Sequence, residues 1–197
     1  MKELTIKVTF TEEVLGTASN NQEIHSEFIA SKAPDAVSRE EEIEAIGVDA
    51  EIEKSMTVFP RNDEGTPIFW DYQWKGFFKD SCSALRKVKG SQSEKIKAFK
   101  KEIDGLIFVE PRMIPINFDG EIGNCQRPLR ASTAQGERVA LANSETVPSG
   151  STCEFTIKCL KDDLMKAVEE WLDYGQLRGM GQWRNSGKGR FKFEVVE

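Results

Sequence analysis

Histidine and cysteine are scarce in this sequence, and the few that occur lie far apart. The 197 residues include one histidine, His25, and four cysteines with no Cys-x-x-Cys pair. The cysteines are Cys82, Cys125, Cys153 and Cys159. This spacing argues against a structural zinc site and against a disulfide framework. We predict buried free thiols, and we expect neither a metal ion nor another cofactor.

Hydrophobic runs long enough to cross a membrane are also absent. No stretch approaches the ~20 apolar residues of a transmembrane helix. The first ten residues alternate in character, whereas a signal peptide has a basic region followed by an apolar one. With 39% hydrophobic residues the chain is able to bury a core as one domain over 1–197. We therefore expect a cytoplasmic protein without membrane association.

Acidic and basic residues are segregated along the chain. Residues 1–65 include six basic and fifteen acidic residues, whereas 73–101 include nine basic and two acidic ones. Residues 176–193 add five basic residues and no acid. Phosphate binding relies on clustered lysine and arginine, so a net charge of −6 does not exclude nucleic acid. We predict a basic face that binds a polyanion, and an acidic insertion at about 20–55.

Hydrophobic periodicity predicts an α+β fold. Leu4, Ile6 and Val8 alternate with polar residues, as in a strand with one buried face. The other predicted elements are a short helix at 39–46, a β-hairpin at 56–72, helices at 73–89, 93–104 and 162–174, and strands at 106–110, 112–118, 137–141, 151–159 and 190–196. An irregular basic segment is expected at about 120–138. The order β-α-β-β-α-β predicts an antiparallel sheet with helices on one face.

The segment 175–193 is the most distinctive in the chain, with five glycines, five basic residues and no acid. Glycine permits a positive φ and the close approach of another backbone. We expect its glycine N–H groups and basic side chains to contact phosphates, and Trp183 to stack on a base. The alternative is a structural turn between helix and strand with Trp183 in the core.

Four segments, in this order, resemble the RAMP superfamily, the repeat-associated proteins that form RNA-binding subunits of CRISPR effector complexes. The segments are 14–18, 72–85 with Lys75-Gly76, 145–157 with Pro148-Ser149-Gly150, and 179–191. The resemblance is closest to the subunits that polymerise along guide RNA. It implies a ferredoxin-like core of the RNA-recognition-motif type, binding of guide or single-stranded RNA, and a homo-oligomer or a place in a larger ribonucleoprotein.

The resemblance and the charge pattern together mark a set of RNA-binding candidates. They are Lys75, Lys79, Arg127, Arg130, Gly179, Gly181, Trp183, Arg184, Gly187, Lys188, Gly189 and Arg190. Lys75 and Lys79 lie at a predicted helix start, where the helix dipole favours an anion, although simple solvation is the alternative. Arg127, Arg130 and Arg138 are expected in a thumb-like hairpin over RNA or, alternatively, in a surface loop.

Other functions stay open on the sequence. Some RAMP proteins cleave RNA with a histidine or an aspartate in the loop after strand one, where His25 and Asp35 lie, so an endoribonuclease is one alternative. Binding without catalysis is preferred. The chain also looks like proteins encoded by bacteriophage genomes, which implies a bacterial host cell. Two further alternatives follow from this: an anti-defence protein that binds a host CRISPR or defence complex, and a phage assembly protein.

Overall fold

The described part of the chain folds as a four-stranded central sheet with helices on one face, together with a five-stranded sheet and a two-stranded sheet. A computed structural model describes residues 1–20, 56–133 and 136–196, with side chains described outside 129–141. The elements are β1 Lys2–Phe10, β2 Val14–Leu15, β3 Ala18–Ser19, β4 Thr57–Val58, β5 Ile68–Trp70, α1 Asp71–Leu85, α2 Phe99–Leu106, β6 Ile107–Glu110, β7 Met113–Pro115, β8 Gly123–Thr133, β9 Gly136–Val147, β10 Thr152–Cys159, α3 Asp162–Arg178 and β11 Phe191–Val195.

The central sheet has the strand order β11-β1-β10-β6, and each neighbouring pair is antiparallel. Strands β1, β6, β10 and β11 are the first to fourth strands of a βαββαβ chain whose helices are α1 and α3. The register places Ile6 beside Phe155 and Val8 beside Phe193. The predicted α+β class and ferredoxin-like core are confirmed.

The helices cover the face of this sheet on which alternate strand residues are apolar. Ile6, Val8 and Phe10 of β1 are fully buried. Trp74 of α1 packs on the buried face of the sheet, with its ring centroid 4.4 Å from that of Phe155 and 5.5 Å from that of Phe191. Burial of a large apolar side chain contributes about 1.5–3 kcal/mol to folding, so this aromatic cluster is a major part of the core.

Gly175 lies inside α3, although the sequence predicted it just past the helix end. The ring of Phe191 occupies the space where a side chain at position 175 would project. The helix instead ends at Gly179, whose φ is 73° and whose N–H donates to the Gly175 carbonyl at 3.0 Å. A glycine in a helix therefore marks close packing here and not a stop.

The expected irregular segment at about 120–138 is wrong over most of its length, because strand β8 fills it. β8 pairs with β9 from Gly123 opposite Thr146 to Thr133 opposite Gly136. The β8 main chain forms its hydrogen bonds with β9, and the local sequence of β8 does not indicate this pairing. This long ribbon joins a sheet of order β2-β9-β4-β3.

The predicted hairpin at 56–72 is correct only at its turn. Asn62 Oδ1 accepts the N–H groups of Glu64 and Thr66, and Gly65 has a φ of 81°. Beyond the Arg61–Pro67 bridge the two strands part, since β4 pairs with β3 and β9 while β5 pairs with β7.

Two helix boundaries also differ from the prediction. Helix α1 begins at Asp71, because the Gln73 side chain accepts the Trp70 N–H at 2.7 Å and caps the first turn. The predicted helix at 93–104 begins only at Phe99, since Ser93 bonds to Glu170 of α3 instead. The predicted short helix at 39–46 and the acidic insertion lie outside the described residues. None of the helices in the described ranges is long and apolar enough to span a membrane.

Two helix glycines give a direct test of this packing. Gly175→Ala is expected to lower the free energy of unfolding by about 2 kcal/mol or more, because its methyl group would overlap with the Phe191 ring. Gly76→Ala is the matched control in α1, where nothing lies within 4 Å of the added carbon. We expect the control to be stabilised by about 0.5–1 kcal/mol. Urea denaturation measures both, and equal changes would contradict this account of α3.

Candidate functional site

The segment from 179 to 190, between α3 and β11, crosses over itself, and we call it the Gly-rich loop. The Met180 N–H donates to the Gly189 carbonyl at 2.8 Å, and the Gly189 N–H donates to the Glu13 carbonyl at 2.8 Å. A side-chain carbon at Gly189 would overlap with the Met180 carbonyl, and one at Gly179 would lie 2.5 Å from the Lys188 carbonyl. The crossing therefore requires glycine at both positions.

The other two glycines shape the outer part of the loop. Gly181, with a φ of 81°, lies against β2, where an added carbon would be 2.9 Å from the Leu15 carbonyl. Gly187, with a φ of 87°, ends a 3₁₀ turn at Arg184–Ser186, and an added carbon there would be in ordinary contact with the Arg190 guanidinium at 3.5 Å. Its glycine is required by backbone conformation alone.

The expectation that four free glycine N–H groups face phosphates is wrong for three of them. The N–H groups of Gly179, Gly187 and Gly189 donate to the carbonyls of Gly175, Arg184 and Glu13 respectively. These bonds close the turns that give the loop its shape, so the donors are used within the protein. The Gly181 N–H has no hydrogen-bond partner among the described residues.

Trp183 is held on the surface in a conformation that is unusual for its residue type. Its φ is 58°, and it is the one non-glycine residue with a positive φ in the described part of the chain. Its side chain is 38% exposed, so the alternative that placed it in the core is wrong. Left-handed backbone at a bulky residue is strained and is found preferentially at functional sites.

Arg127 lies directly behind Trp183 and connects the β8–β9 ribbon to the loop. Its guanidinium carbon is 4.9 Å from the Trp183 ring centroid, a cation–π distance. Its Nη1 donates to Ser144 Oγ at 3.2 Å and its Nη2 donates to Gln182 Oε1 at 2.8 Å. Arg127 is only 6% exposed, so it positions the tryptophan from within the protein.

Two arginines of the site share one carboxylate that the sequence did not mark. Arg178 Nε and Arg184 Nη1 donate to the same Oδ2 of Asp80, at 2.9 and 2.8 Å. Arg178 also donates through Nη1 to Asn185 Oδ1 at 2.7 Å. Asp80 lies in α1 after Lys75 and Lys79, and nothing in its local sequence indicates a partner about 100 residues away.

Lys188 and Arg190 differ in their pairing. Lys188 donates to Glu13 Oε1, and this hydrogen bond raises the pKa of the lysine ammonium. Arg190 is exposed and its side chain has no ion pair among the described residues. Arg190 is therefore the cation of the loop most available to an external anion.

Lys75 and Lys79 do not join the Gly-rich loop. The Lys75 Nζ donates to the Asp104 carbonyl at 3.1 Å and lies 5.3 Å from the Phe108 ring centroid. The Lys79 Nζ pairs with Asp104 Oδ1 at 2.6 Å. Both lysines face α2 because they lie one helical turn apart, and their contact with RNA stays a prediction.

The remaining candidates are not brought into the site by the described residues. Arg130 lies on β8 opposite Val139, and its side chain is not described. His25 and Asp35 lie outside the described ranges. Within those ranges no group of three His, Cys, Asp or Glu side chains is placed to hold a metal ion. A shallow depression beside the tryptophan is lined by Arg178, Gly181, Gln182, Trp183, Arg184 and Asn185.

No protein-family model matches the sequence, and no curated protein matches it. Among solved structures, the chain is similar to one in the cryo-EM structure of the Type III-B Cmr-beta bound to cognate target RNA, with a TM-score of 0.54 and 15% identity. That alignment covers 100% of this chain and 61% of the other. A chain of a Type IV-B CRISPR complex aligns with a TM-score of 0.49 and 9% identity, over 99% of this chain and 90% of the other.

At this level of identity the Cmr-beta likeness shows the fold alone. It agrees with the ferredoxin-like core that the RAMP resemblance implied. This chain spans about three fifths of the length of the Cmr-beta chain that it matches.

The Asp80 contacts give a prediction for stability. Asp80→Asn is expected to lower the free energy of unfolding by about 1 kcal/mol, because Arg178 and Arg184 then lose a shared anion and repel each other. Asp104→Asn is the control, since it removes a single, more exposed pair with Lys79 and should change stability by less than about 0.5 kcal/mol. Urea titration of both variants checks this, and equal losses would contradict a bridging role for Asp80.

Proposed function

We propose that this protein binds single-stranded RNA through Trp183, Arg184 and Arg190, which we call the loop surface, with Arg127 positioning the Trp183 ring from behind. The observation that carries the proposal is the exposed Trp183, which has a left-handed backbone and a buried arginine behind its ring. This arrangement exposes an aromatic plane that the core does not use. Aromatic planes beside cations are the usual platform for unpaired bases.

The residues of the loop surface and Arg127 have separate roles in this proposal. Trp183 stacks on a base, and Arg127 fixes the orientation of the ring. Arg184 uses Nη1 to bind Asp80, which leaves other guanidinium donors for a phosphate oxygen. Arg190 supplies a cation that has no ion-pair partner within residues 1–20, 56–128 and 142–196.

The loop remains basic after its internal ion pairs are counted. Residues 176–193 contain five cations and no acid, and the two carboxylates paired with them are Asp80 and Glu13. The cations therefore exceed the carboxylates by three. An excess of this kind favours a polyanion even though the whole chain carries −6.

The open face of the central sheet is a weaker candidate for the same ligand. Thr5 and Thr156 bond to each other there at 2.9 Å, and the nearby lysines pair with acids. Lys158 bonds to Glu110 at 2.7 Å, which raises the pKa of its ammonium. These paired charges and threonines give the face no excess of cations, and its exposed ring, Phe108, already contacts the Lys75 ammonium group.

The likeness to the Cmr-beta chain supports RNA as the polyanion, because that complex is bound to cognate target RNA. We extend the proposal to a subunit role in a ribonucleoprotein, and self-association stays a prediction. Cleavage and binding of a host defence complex are not part of the proposal, since His25, Asp35 and the acidic insertion lie outside the described residues.

Fluorescence anisotropy with a short labelled single-stranded RNA tests the proposal. Trp183→Leu should weaken binding by about 5- to 150-fold, since stacking on an aromatic ring contributes about 1–3 kcal/mol per base. Trp183→Phe is the matched control, because phenylalanine must adopt the same positive φ as leucine at this position but retains an aromatic ring. Affinity for the wild type should fall as salt rises.

A pair of charge reversals locates the phosphates. Arg190→Glu should weaken binding and lower the salt dependence, whereas Lys100→Glu, an exposed α2 residue with the same charge change, should have little effect. Binding that is indifferent to salt, or that falls equally in both reversals, would contradict the proposed surface.

A further inference from the structure

A second exposed aromatic plane lies at the start of α1. The rings of Trp70 and Tyr72 are stacked with their planes 11° apart and their centroids 6.2 Å apart. Tyr72 is 59% exposed. The other ring pairs among the described residues are tilted or edge-on by 35° or more, as is usual in a core.

The backbone around this pair is fixed on both sides. The Trp70 N–H donates to Gln73 Oε1 at 2.7 Å, and the Asp71 N–H donates to the Arg112 carbonyl at 2.9 Å. Trp70 is also paired with Met113 across β5 and β7. The backbone that carries the Trp70 ring is therefore fixed before any ligand binds, which reduces the entropy lost on binding.

A cation accompanies the stacked rings. The Arg112 guanidinium carbon lies 5.7 Å from the Trp70 ring centroid. Arg112 is exposed and has no acidic side-chain partner in the described part of the chain. We call Trp70, Tyr72 and Arg112 the Tyr72 platform, because it offers the same chemistry as the loop surface: an aromatic plane and an arginine.

A short chain of contacts connects the Tyr72 platform to the loop surface. The Gln73 side chain, which caps Trp70 through Oε1, donates through Nε2 to Thr17 Oγ1 at 2.8 Å. Two residues before Thr17, the Leu15 carbonyl is the group against which Gly181 packs. Gln73, which caps Trp70, and Gly181 of the Gly-rich loop therefore both contact the short segment from Leu15 to Thr17.

We propose that the Tyr72 platform is a second base-stacking position for the RNA strand that binds the loop surface. A base stacks on the outer face of Tyr72, and Arg112 contacts an adjacent phosphate. Arg112 places a positive charge beside an aromatic plane, which is the combination that binds a base and its adjacent phosphate. The inference rests on the proposed function of the loop surface.

Anisotropy with the same RNA tests the inference on the full chain. Tyr72→Leu should weaken binding by about 5- to 150-fold, whereas Tyr72→Phe, which retains the ring, should bind like the wild type. Arg112→Ala should lower the slope of log affinity against log salt by about 1. Circular dichroism and the melting temperature show whether each variant is folded.

The outcomes separate the two proposals. If the wild type binds no RNA, both proposals fail. If Trp183→Leu loses affinity and Tyr72→Leu does not, only the Tyr72 platform is overturned. If Tyr72→Leu changes the mass in solution without changing affinity, the platform is a contact between copies of the chain, and the inference is overturned.

A measurement on the wild type covers the case in which Tyr72→Leu does not fold. Abasic sites placed one at a time along the RNA remove single stacking contacts. We expect two separated positions at which affinity falls. A single sensitive position would overturn the second platform while leaving the loop surface intact.

Discussion

The self-crossing of the Gly-rich loop is the contact on which the site depends. The Met180 N–H donates to the Gly189 carbonyl at 2.8 Å, in a space that admits no side chain at position 189. This hydrogen bond closes residues 181–188 into a compact loop, and Trp183 is exposed on the outer side of that loop. Just beyond the crossing, Phe191 enters the core and its ring packs against Gly175. The exposed site and the buried core are therefore fixed by neighbouring residues.

The central sheet was predictable from the sequence because each of its strands carries its own pattern. Two local signals are the alternation of apolar residues in β1 and the helical spacing of Leu164, Val168 and Trp171 in α3. The apolar face of each element is buried. Strand β8 has no such signal, because Pro128 and charged residues interrupt any alternation of apolar residues. It is a strand because it pairs with β9. The pairing of β5 with β7 also could not be predicted from local sequence, because the two strands lie far apart along the chain.

The candidate site could be chosen from the sequence, whereas the contacts within it could not. Glycine and basic residues marked the loop, and Trp183 is exposed there. The use of three glycine N–H groups within the protein, the Asp80 bridge and the contact of Arg127 with Trp183 all join residues far apart in sequence. Lys75 and Lys79 were expected at the site from a helix-start rule, but Asp104 of a neighbouring helix determines where they point.

Ultraviolet crosslinking of single-stranded RNA to the wild-type protein, with mass spectrometry of the crosslinked peptides, tests the central claim most directly. Crosslinking reports contact with a base and does not depend on a substitution that alters the fold. The account predicts a crosslink in the peptide that contains Trp183. Crosslinks confined to the open face of β1 and β10, with none at Trp183, would contradict it.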